Sequence, residues 1–161
     1  MAERTLRLSV LDRLLDAEPR LAADPPLTWD ESVRRHKAAL LRDLEWLLNT
    51  RRIIEPAPAA YPEVQRSLYH YGLPDLSSLG SDRATVRQRL THYLEESIEL
   101  FEPRLVQVRV TAAEPAGGTE QHLRFVVDAL LRMDPNPERV IFDTLLETVS
   151  GEFRVRGADD A

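Results

Sequence analysis

The fold is decided by the stretch Phe101-Glu-Pro-Arg-Leu-Val-Gln-Val-Arg-Val-Thr111, within which the spacing of apolar residues changes. Before Pro103, apolar residues recur every three or four positions, as on one face of a helix. After it, Val106, Val108 and Val110 alternate with polar residues, as in a strand with one buried face. Since proline cannot continue a helix, the sequence predicts that a helix ends here and a strand begins.

The residues before this stretch predict helices. A capping box formed by Thr28 and Glu31 starts a long helix, and Arg51 and Arg52 are expected in its last turn, where the helix dipole favours cations. A shorter helix precedes it, and a third covers about residues 81–101. The apolar residues expected to be buried are Val33, Leu40, Leu41, Leu44, Trp46, Leu47 and Leu48 in the long helix and Val86, Leu90, Leu94, Ile98 and Phe101 in the third.

The residues after the first strand predict two β-hairpins. Ala116-Gly-Gly118 supplies the first turn, before the alternating apolar residues of 123–131. Ser150-Gly151 supplies the second turn, between strands over 140–148 and 153–156. Helices first and strands later predict an α+β fold, in which N-terminal helices pack on a mostly antiparallel sheet of about four strands.

The length of the chain predicts a single domain over residues 1–161, since domains cluster near about 100 to 150 residues. We expect a helical part over 1–55, a proline-rich connector and loop over 56–80, a helix with the hairpins over 81–156, and a flexible tail over 157–161. The prolines of the connector disfavour helix because each lacks an amide hydrogen.

Composition excludes several classes of function. The net charge of −6 argues against a general nucleic-acid binder, which needs a basic field to attract phosphates. The chain has no cysteine, which excludes disulfides, thiolate catalysis and cysteine-bound metals. No apolar run approaches the roughly 20 residues that span a bilayer. We therefore expect no membrane insertion, no signal peptide and no nucleic-acid partner.

The sequence carries no motif of nucleotide binding or of nucleophilic catalysis. It contains no Walker loop, no Gly-x-Ser-x-Gly elbow and no Gly-x-Gly-x-x-Gly fingerprint. The histidines are not spaced three or four residues apart, as two metal ligands on one helix face would be. We therefore predict no catalytic residue, no cofactor and no metal site.

Acidic residues gather near the end of the third predicted helix. At about 100° per residue, Glu95, Glu99 and Glu102 lie within about 60° of one another and away from the apolar residues. Pro103 then ends the helix and Arg104 follows, so that a stiff backbone holds two opposite charges in fixed directions. Such a corner can pair internally, act as a catalytic carboxylate, or present hydrogen-bonding groups to a partner.

These alternatives differ in what they require. An exposed ion pair contributes only about 0 to 1 kcal/mol to stability. A lysozyme-like glycoside hydrolase would use Glu99 or Glu102, and it needs a second carboxyl group at about 5 to 9.5 Å and an apolar pocket that raises one pKa. Partner recognition needs only exposure and rigidity, because a rigid element loses little entropy on binding.

Four stretches together resemble the TssE family, the baseplate subunit of type VI secretion systems that is related to a wedge protein of contractile-tailed phages. They are Ser9-Val-Leu-Asp-Arg-Leu-Leu-Asp16, Leu44-Glu-Trp-Leu-Leu-Asn-Thr-Arg-Arg52, Tyr71-Gly-Leu-Pro-Asp-Leu76 and Glu102-Pro-Arg-Leu105. Phe142-Asp-Thr144 and Gly151-Glu-Phe-Arg-Val155 resemble the family's C-terminal part. His70 departs from the pattern, because the family is expected to have Asn before the Tyr-Gly pair.

The resemblance implies a non-enzymatic structural subunit at the cytoplasmic face of the bacterial inner membrane. Such a subunit joins the wedge proteins TssF and TssG in a six-fold baseplate and offers a platform to the contractile sheath of TssB and TssC. The resemblance implies that Glu102, Pro103 and Arg104 join the wedge partners. We also expect partner contacts at Leu105, Arg51, Arg52, Tyr71 and Gly72. Alternatively, Arg51 and Arg52 cap the helix dipole, and Tyr71 and Gly72 form a packed loop with a positive-φ glycine. A sheet of two hairpins leaves an open edge, so we expect the sheath to dock on residues 139–156.

Overall fold

The computed structural model describes residues 6, 9–15, 20, 27–55, 57–58, 60–75, 82–113, 122–134 and 136–157. The chain divides into two compact units, Met1–Arg42 and Asp43–Ala161. The prediction of one domain, with its four parts, stays a prediction. The predicted turn at 116–118 and residues 158–161 of the predicted tail lie outside the described residues.

The described residues form helices followed by strands. The helices are α1 (Val10–Leu14), α2 (Trp29–Asn49), α3 (Pro62–Gln65) and α4 (Arg83–Phe101), and the strands are β1 (Leu105–Ala113), β2 (His122–Leu131), β3 (Glu138–Glu147) and β4 (Phe153–Gly157). Neighbouring strands pair antiparallel in the order β1-β2-β3-β4. The α+β prediction with two C-terminal hairpins is therefore confirmed. No described helix combines the length and the apolar character that a membrane crossing requires.

Helix α2 begins at the predicted capping box. The Thr28 amide donates to Oε2 of Glu31 at 3.0 Å, and the Glu31 amide donates to Oγ1 of Thr28 at 3.4 Å. These two bonds satisfy amides that lack a partner within the first turn of a helix. The start of the long helix is therefore set by local side-chain chemistry.

The C-terminal end of α2 differs from the prediction. Arg51 and Arg52 lie beyond its last residue, so their expected place in the last turn is wrong. The hydroxyl of Thr50 donates back to the Trp46 carbonyl at 2.7 Å. The following residues pair with Leu73 instead of continuing the helix, since the Arg52 amide donates to the Leu73 carbonyl at 2.9 Å.

Burial along α2 and α4 follows the predicted apolar faces with one clear exception. Fully buried are Leu40, Leu44, Leu47, Leu48, Leu90, Leu94 and Ile98. Half-buried are Val33, Leu41, Val86 and Phe101. The predicted burial of Trp46 is wrong, because this side chain is 51% exposed. It lies about 200° around the helix from Leu44, on the opposite face.

One face of the sheet is buried. As predicted, its buried residues on β2 are Leu123, Phe125, Val127, Ala129 and Leu131. Helix α4 contacts β1. Strand β1 departs from the predicted alternation, because its register shifts between Val106 and Arg109, where Gln107 has a left-handed φ of 55°. Such a bulge changes which side chains point inward. The buried residues of β1 are Leu105, Val108 and Val110. Val106, whose burial the alternation predicts, is half-buried.

Candidate functional site

The predicted corner forms where α4 ends. Glu102 is the residue that caps the helix, and its amide still donates to the Ile98 carbonyl at 2.9 Å. Pro103 then turns the chain, and the Leu105 amide donates to the Glu102 carbonyl at 3.0 Å. The backbone between α4 and β1 is thus fixed by hydrogen bonds at both ends of the proline.

Glu102 is buried, with only 5% of its surface exposed, and Arg104 binds it with two parallel hydrogen bonds. Nε of Arg104 lies 2.6 Å from Oε1, and Nη2 lies 2.5 Å from Oε2. The prediction that Glu102 shares an exposed acidic face with Glu95 and Glu99 is wrong. The reason is that Glu102 leaves the helix, with φ −117° and ψ 79°, and its side chain turns towards Arg104.

Arg104 also reaches Asp43 of α2, 61 residues earlier in the chain. Its Nη2 lies 2.7 Å from Oδ2 of Asp43. Burial alone would lower the pKa of Arg104, but the hydrogen bonds and charges of Glu102 and Asp43 raise it above its ordinary value. Nη1 of Arg104 is buried and has no hydrogen-bond partner in the part of the chain that the structure describes. Arg104 therefore joins the end of α4 to α2.

The Tyr71-Gly72 loop packs beside this ion pair. The Tyr71 ring meets Phe101 edge to face, with centroids 5.2 Å apart. Burial, followed by the charges of Asp43 and Glu102, raises the pKa of Tyr71. Gly72 has a φ of 100°, and a Cβ there would lie 2.3 Å from the Thr50 carbonyl oxygen. Only glycine fits this close approach.

Arg51 and Arg52 are held within the chain as well. Nη2 of Arg51 donates to the Gly151 carbonyl at 2.6 Å, and Nη1 donates to the Leu48 carbonyl at 3.3 Å. The Arg52 guanidinium lies 5.5 Å from the centre of the Tyr93 ring, in a cation–π contact. Both arginines therefore hold the loop that follows α2.

Two of the four resembling stretches, 71–76 and 102–105, contribute to one group, which we call the corner cluster: Asp43, Tyr71, Phe101, Glu102 and Arg104. Among the eight residues where partner contacts are expected, Pro103 and Arg51 are exposed, Arg52, Tyr71 and Arg104 are half-buried, and Glu102, Leu105 and Gly72 are buried. In this conformation Glu102, Leu105 and Gly72 are out of reach of a partner. They can affect partner binding only by holding the exposed residues around them in place. Their part in partner binding stays a prediction.

Two features of this region were missed by sequence reasoning. Asp43 sits in the middle of a helix, where no local signal marks it as a partner of a distant arginine. Ile53 and Ile54 directly follow the arginine pair and are 54% and 87% exposed. Adjacent exposed isoleucines on a well-anchored loop are typical of a contact surface. Among the described residues, no group of His, Asp and Glu side chains could hold a metal ion.

A model of the baseplate wedge protein gp25 family matches residues 34–136. The chain belongs to the gp25 family. The predicted TssE-like baseplate wedge subunit is thereby confirmed at the level of the family. The matched residues contain most of α2, the whole corner cluster, and strands β1 and β2.

Gp25-family membership makes the chain a structural baseplate subunit, and it supports a non-enzymatic role and association with other baseplate subunits. Nothing in the described part of the chain supports the lysozyme-like alternative. One solved chain, from "The baseplate complex from the type VI secretion system", is similar to this one with 21% sequence identity and a TM-score of 0.45, over 71% of this chain and 97% of that chain. No curated protein matches the sequence significantly.

Proposed function

We propose that this chain is the TssE-type wedge subunit of a type VI secretion baseplate. In this role it joins TssF and TssG in a six-fold assembly at the cytoplasmic face of the inner membrane, and it supports assembly of the TssB and TssC sheath. The gp25-family match over residues 34–136 carries the proposal. The four stretches that resemble the TssE family narrow the proposed assembly from contractile machines in general to the type VI secretion system.

The corner cluster serves this role by fixing the shape of the loop that meets the wedge partners. A desolvated ion pair adds little net stability, because the charges lose hydration, but it holds its surroundings in one geometry. A surface that is already ordered loses less entropy when a partner binds. Arg104 is therefore a positioning residue in this proposal, and Glu102 is its buried anchor.

The residues that contact the wedge partners are the exposed ones in the same loops. The exposed residues of these loops are Arg51, Ile53, Ile54 and Pro103. The first three lie within four consecutive positions, 51–54. The backbone beside Arg51 is tied to Leu73 by hydrogen bonds at Thr50 and Arg52. Ile53 and Ile54 supply apolar area that a partner can bury, and Arg51 beside them supplies hydrogen-bond donors that orient the partner. Protein interfaces combine both features.

Association with TssF and TssG tests this proposal. We would mix the purified chain with both proteins and measure co-purification for the wild type, for Ile54→Asp, and for Leu68→Asp as a matched control. Ile54 is 87% exposed and Leu68 is 82% exposed, so neither substitution should disturb the fold. We expect Ile54→Asp to weaken association about tenfold or more and Leu68→Asp to leave it unchanged. Equal effects of the two changes would contradict the proposed contact surface.

A second part of the proposal concerns the sheath, which we expect to bind at the open edge of the sheet by strand addition. Deleting residues 139–156 would be a poor test, because β3 is an inner strand whose Phe142 and Leu146 are buried. A single substitution on the edge strand β4, Val155→Pro, is sharper, and we expect it to weaken sheath binding.

A further inference from the structure

Helix α1 carries four apolar side chains that stay exposed. Val10 and Leu14 are 73% and 76% exposed, and Leu11 and Leu15 are 41% and 56% exposed. At about 100° per residue, these positions lie within about 140° of one another and form one side of the helix, which we call the α1 face. An amphipathic helix ordinarily turns its apolar side to the core. The apolar residues of α1 are therefore not explained by the folding of the chain.

Asp12 holds α1 from its polar side. Its Oδ1 accepts from Nη2 of Arg42 in α2 at 2.7 Å, and only 8% of the Asp12 side chain is exposed. The Ser9 hydroxyl caps the helix, since it accepts from the Asp12 amide at 3.1 Å and donates to Oδ2 of Asp12 at 2.5 Å. Asp12 lies about 130° around the helix from the centre of the α1 face. The helix is thus fixed with this face turned to solvent.

A second copy of the chain does not fit the α1 face. A stable interface between two proteins buries about 800 Å² on each partner. The five residues of α1 extend only about 7.5 Å, so two such helices packed together would bury a small fraction of that area. The α1 face therefore needs a partner that also contacts the chain elsewhere.

Charge argues against a lipid surface as that partner. Amphipathic helices that bind membranes carry an excess of Lys and Arg, which anionic lipids attract. Residues 1–20 carry no such excess, because their basic residues Arg4, Arg7, Arg13 and Arg20 are balanced by Glu3, Asp12, Asp16 and Glu18. A protein partner fits the α1 face better.

The spacing on α1 is typical of a helix that binds in a groove. Val10 and Leu14 are four residues apart, and so are Leu11 and Leu15. Helices that dock in apolar grooves present their anchoring side chains at this spacing. Arg13 is exposed beside the α1 face, about 60° around the helix from Val10. A carboxylate at the rim of the groove would pair with this guanidinium.

We propose that the α1 face binds in an apolar groove of one of the wedge proteins, and that an acidic residue at the rim of this groove pairs with Arg13. Asp12 is a positioning residue, because it fixes the direction in which the α1 face points. This inference rests on the proposed function, which supplies a partner that also contacts the chain at Ile53 and Ile54. It adds a second contact site to that interface.

Binding of the full chain to a purified complex of TssF and TssG, measured by biolayer interferometry, tests the inference. The variants are Leu14→Glu and, as a matched control, Leu68→Glu, since both leucines are highly exposed. We expect Leu14→Glu to raise the Kd about tenfold or more and Leu68→Glu to leave it unchanged. Equal binding of the wild type and both variants would overturn the α1 face and leave the proposed function standing. A wild-type chain that does not bind would contradict the proposed function, and this inference with it.

Arg13 tests the acidic rim of the groove. We expect Arg13→Glu to raise the Kd for the same complex about fivefold or more, because it places a carboxylate beside another carboxylate. Arg13→Lys keeps the charge and should bind nearly as well as the wild type. Wild-type binding by Arg13→Glu would refute the charge pairing.

Stability measurements distinguish a partner surface from a surface that the chain itself covers. Leu14→Glu should change the melting temperature by no more than about 2 °C, because the side chain is exposed. A fall of 10 °C or more, on the order expected for a core position, would show that the chain itself covers the α1 face and would overturn the inference.

Asp12→Ala tests the positioning role. The amides of Arg13 and Leu15 donate to the Ser9 and Leu11 carbonyls within α1. We expect both amides to exchange with solvent about fivefold faster or more when Asp12 no longer holds the helix, and binding to TssF and TssG to weaken as well. Unchanged exchange would refute the role of Asp12.

Two further measurements cover the other occupants of the α1 face. Sedimentation velocity of the chain alone should show a monomer at micromolar concentration, and the chain should not co-sediment with phosphatidylglycerol vesicles. A dimer that Leu14→Glu dissociates would assign the α1 face to a second copy. Vesicle binding that Leu14→Glu abolishes would assign it to the membrane. Either result would overturn the inference.

Discussion

The corner cluster and the outer edge of β4 use their polar groups in opposite ways. At the corner, Arg104 binds Glu102 and Asp43 inside the same chain. On β4, Arg154 and Arg156 stay exposed and form no salt bridge with a described residue. The Glu102 and Arg104 side chains of the motif thus pair within the subunit. Their part in partner binding stays a prediction.

The largest expected difference between the two regions is the effect of removing one arginine from each. Arg104→Ala leaves Glu102 buried without its cation, so we expect a loss of about 3 kcal/mol in the free energy of unfolding. For a chain of this length the melting temperature should fall by about 6 to 12 °C. Thermal unfolding followed by circular dichroism measures this. Arg156→Ala is the matched control, and equal effects of the two changes would show that the buried pair contributes no special stability.

Gly72→Ala is expected to have the next largest effect. The new Cβ would lie 2.3 Å from the Thr50 carbonyl oxygen, and alanine disfavours a φ of 100°. We expect a loss of about 2 kcal/mol, measured by urea unfolding. Gly151→Ala makes a useful comparison, because its Cβ would meet only the end of the Arg51 side chain at 3.1 Å. A larger loss at Gly151 than at Gly72 would contradict the packing described for the loop.

Asn49→Ala should have a smaller and more local effect on stability. It removes two neutral hydrogen bonds to Phe153, each of which contributes about 0.5 to 1.5 kcal/mol. We therefore expect a loss of about 1 to 2 kcal/mol in urea unfolding. Thr50→Ala, which removes one bond to the end of α2, should cost less. The reverse order would mean that the two bonds between Asn49 and Phe153 contribute little to stability.

The smallest effect on stability is expected at the open edge. Arg154→Ala and Arg156→Ala should each change the free energy of unfolding by no more than about 0.5 kcal/mol, because exposed side chains that form no ion pair with a described residue contribute little. A stability loss as large as that of Arg104→Ala would mean that the arginines of β4 serve the fold and not a partner.

Local chemistry explains which parts of the fold were predictable. The capping box at Thr28 and Glu31, the helical face with Leu90, Leu94 and Ile98, and the alternation in β2 each depend on residues a few positions apart. The sequence therefore revealed the helices, the hairpins and the α+β order. The end of α2 was misplaced because a pairing with Leu73, more than twenty residues later, takes the chain out of the helix.

The candidate site was predictable only in part. The motifs pointed to the loops that the structure brings together around Glu102 and Arg104, and the stiffness of the Glu-Pro-Arg corner followed from proline. The direction in which the Arg104 charge points could not be predicted, because it depends on Asp43, which is 61 residues from Arg104. The contact of Asn49 with Phe153 spans 104 residues. Such long-range hydrogen bonds leave no periodic signal in a sequence.

The central claim is that this chain is a structural subunit of the baseplate wedge. Native mass spectrometry of a mixture of the folded chain with TssF and TssG tests it most directly. We expect one complex that contains all three proteins and that forms equally well with Glu99→Gln, since Glu99 is not part of the proposed contact surface. A complex of TssF and TssG that excludes the folded wild-type chain would contradict the claim.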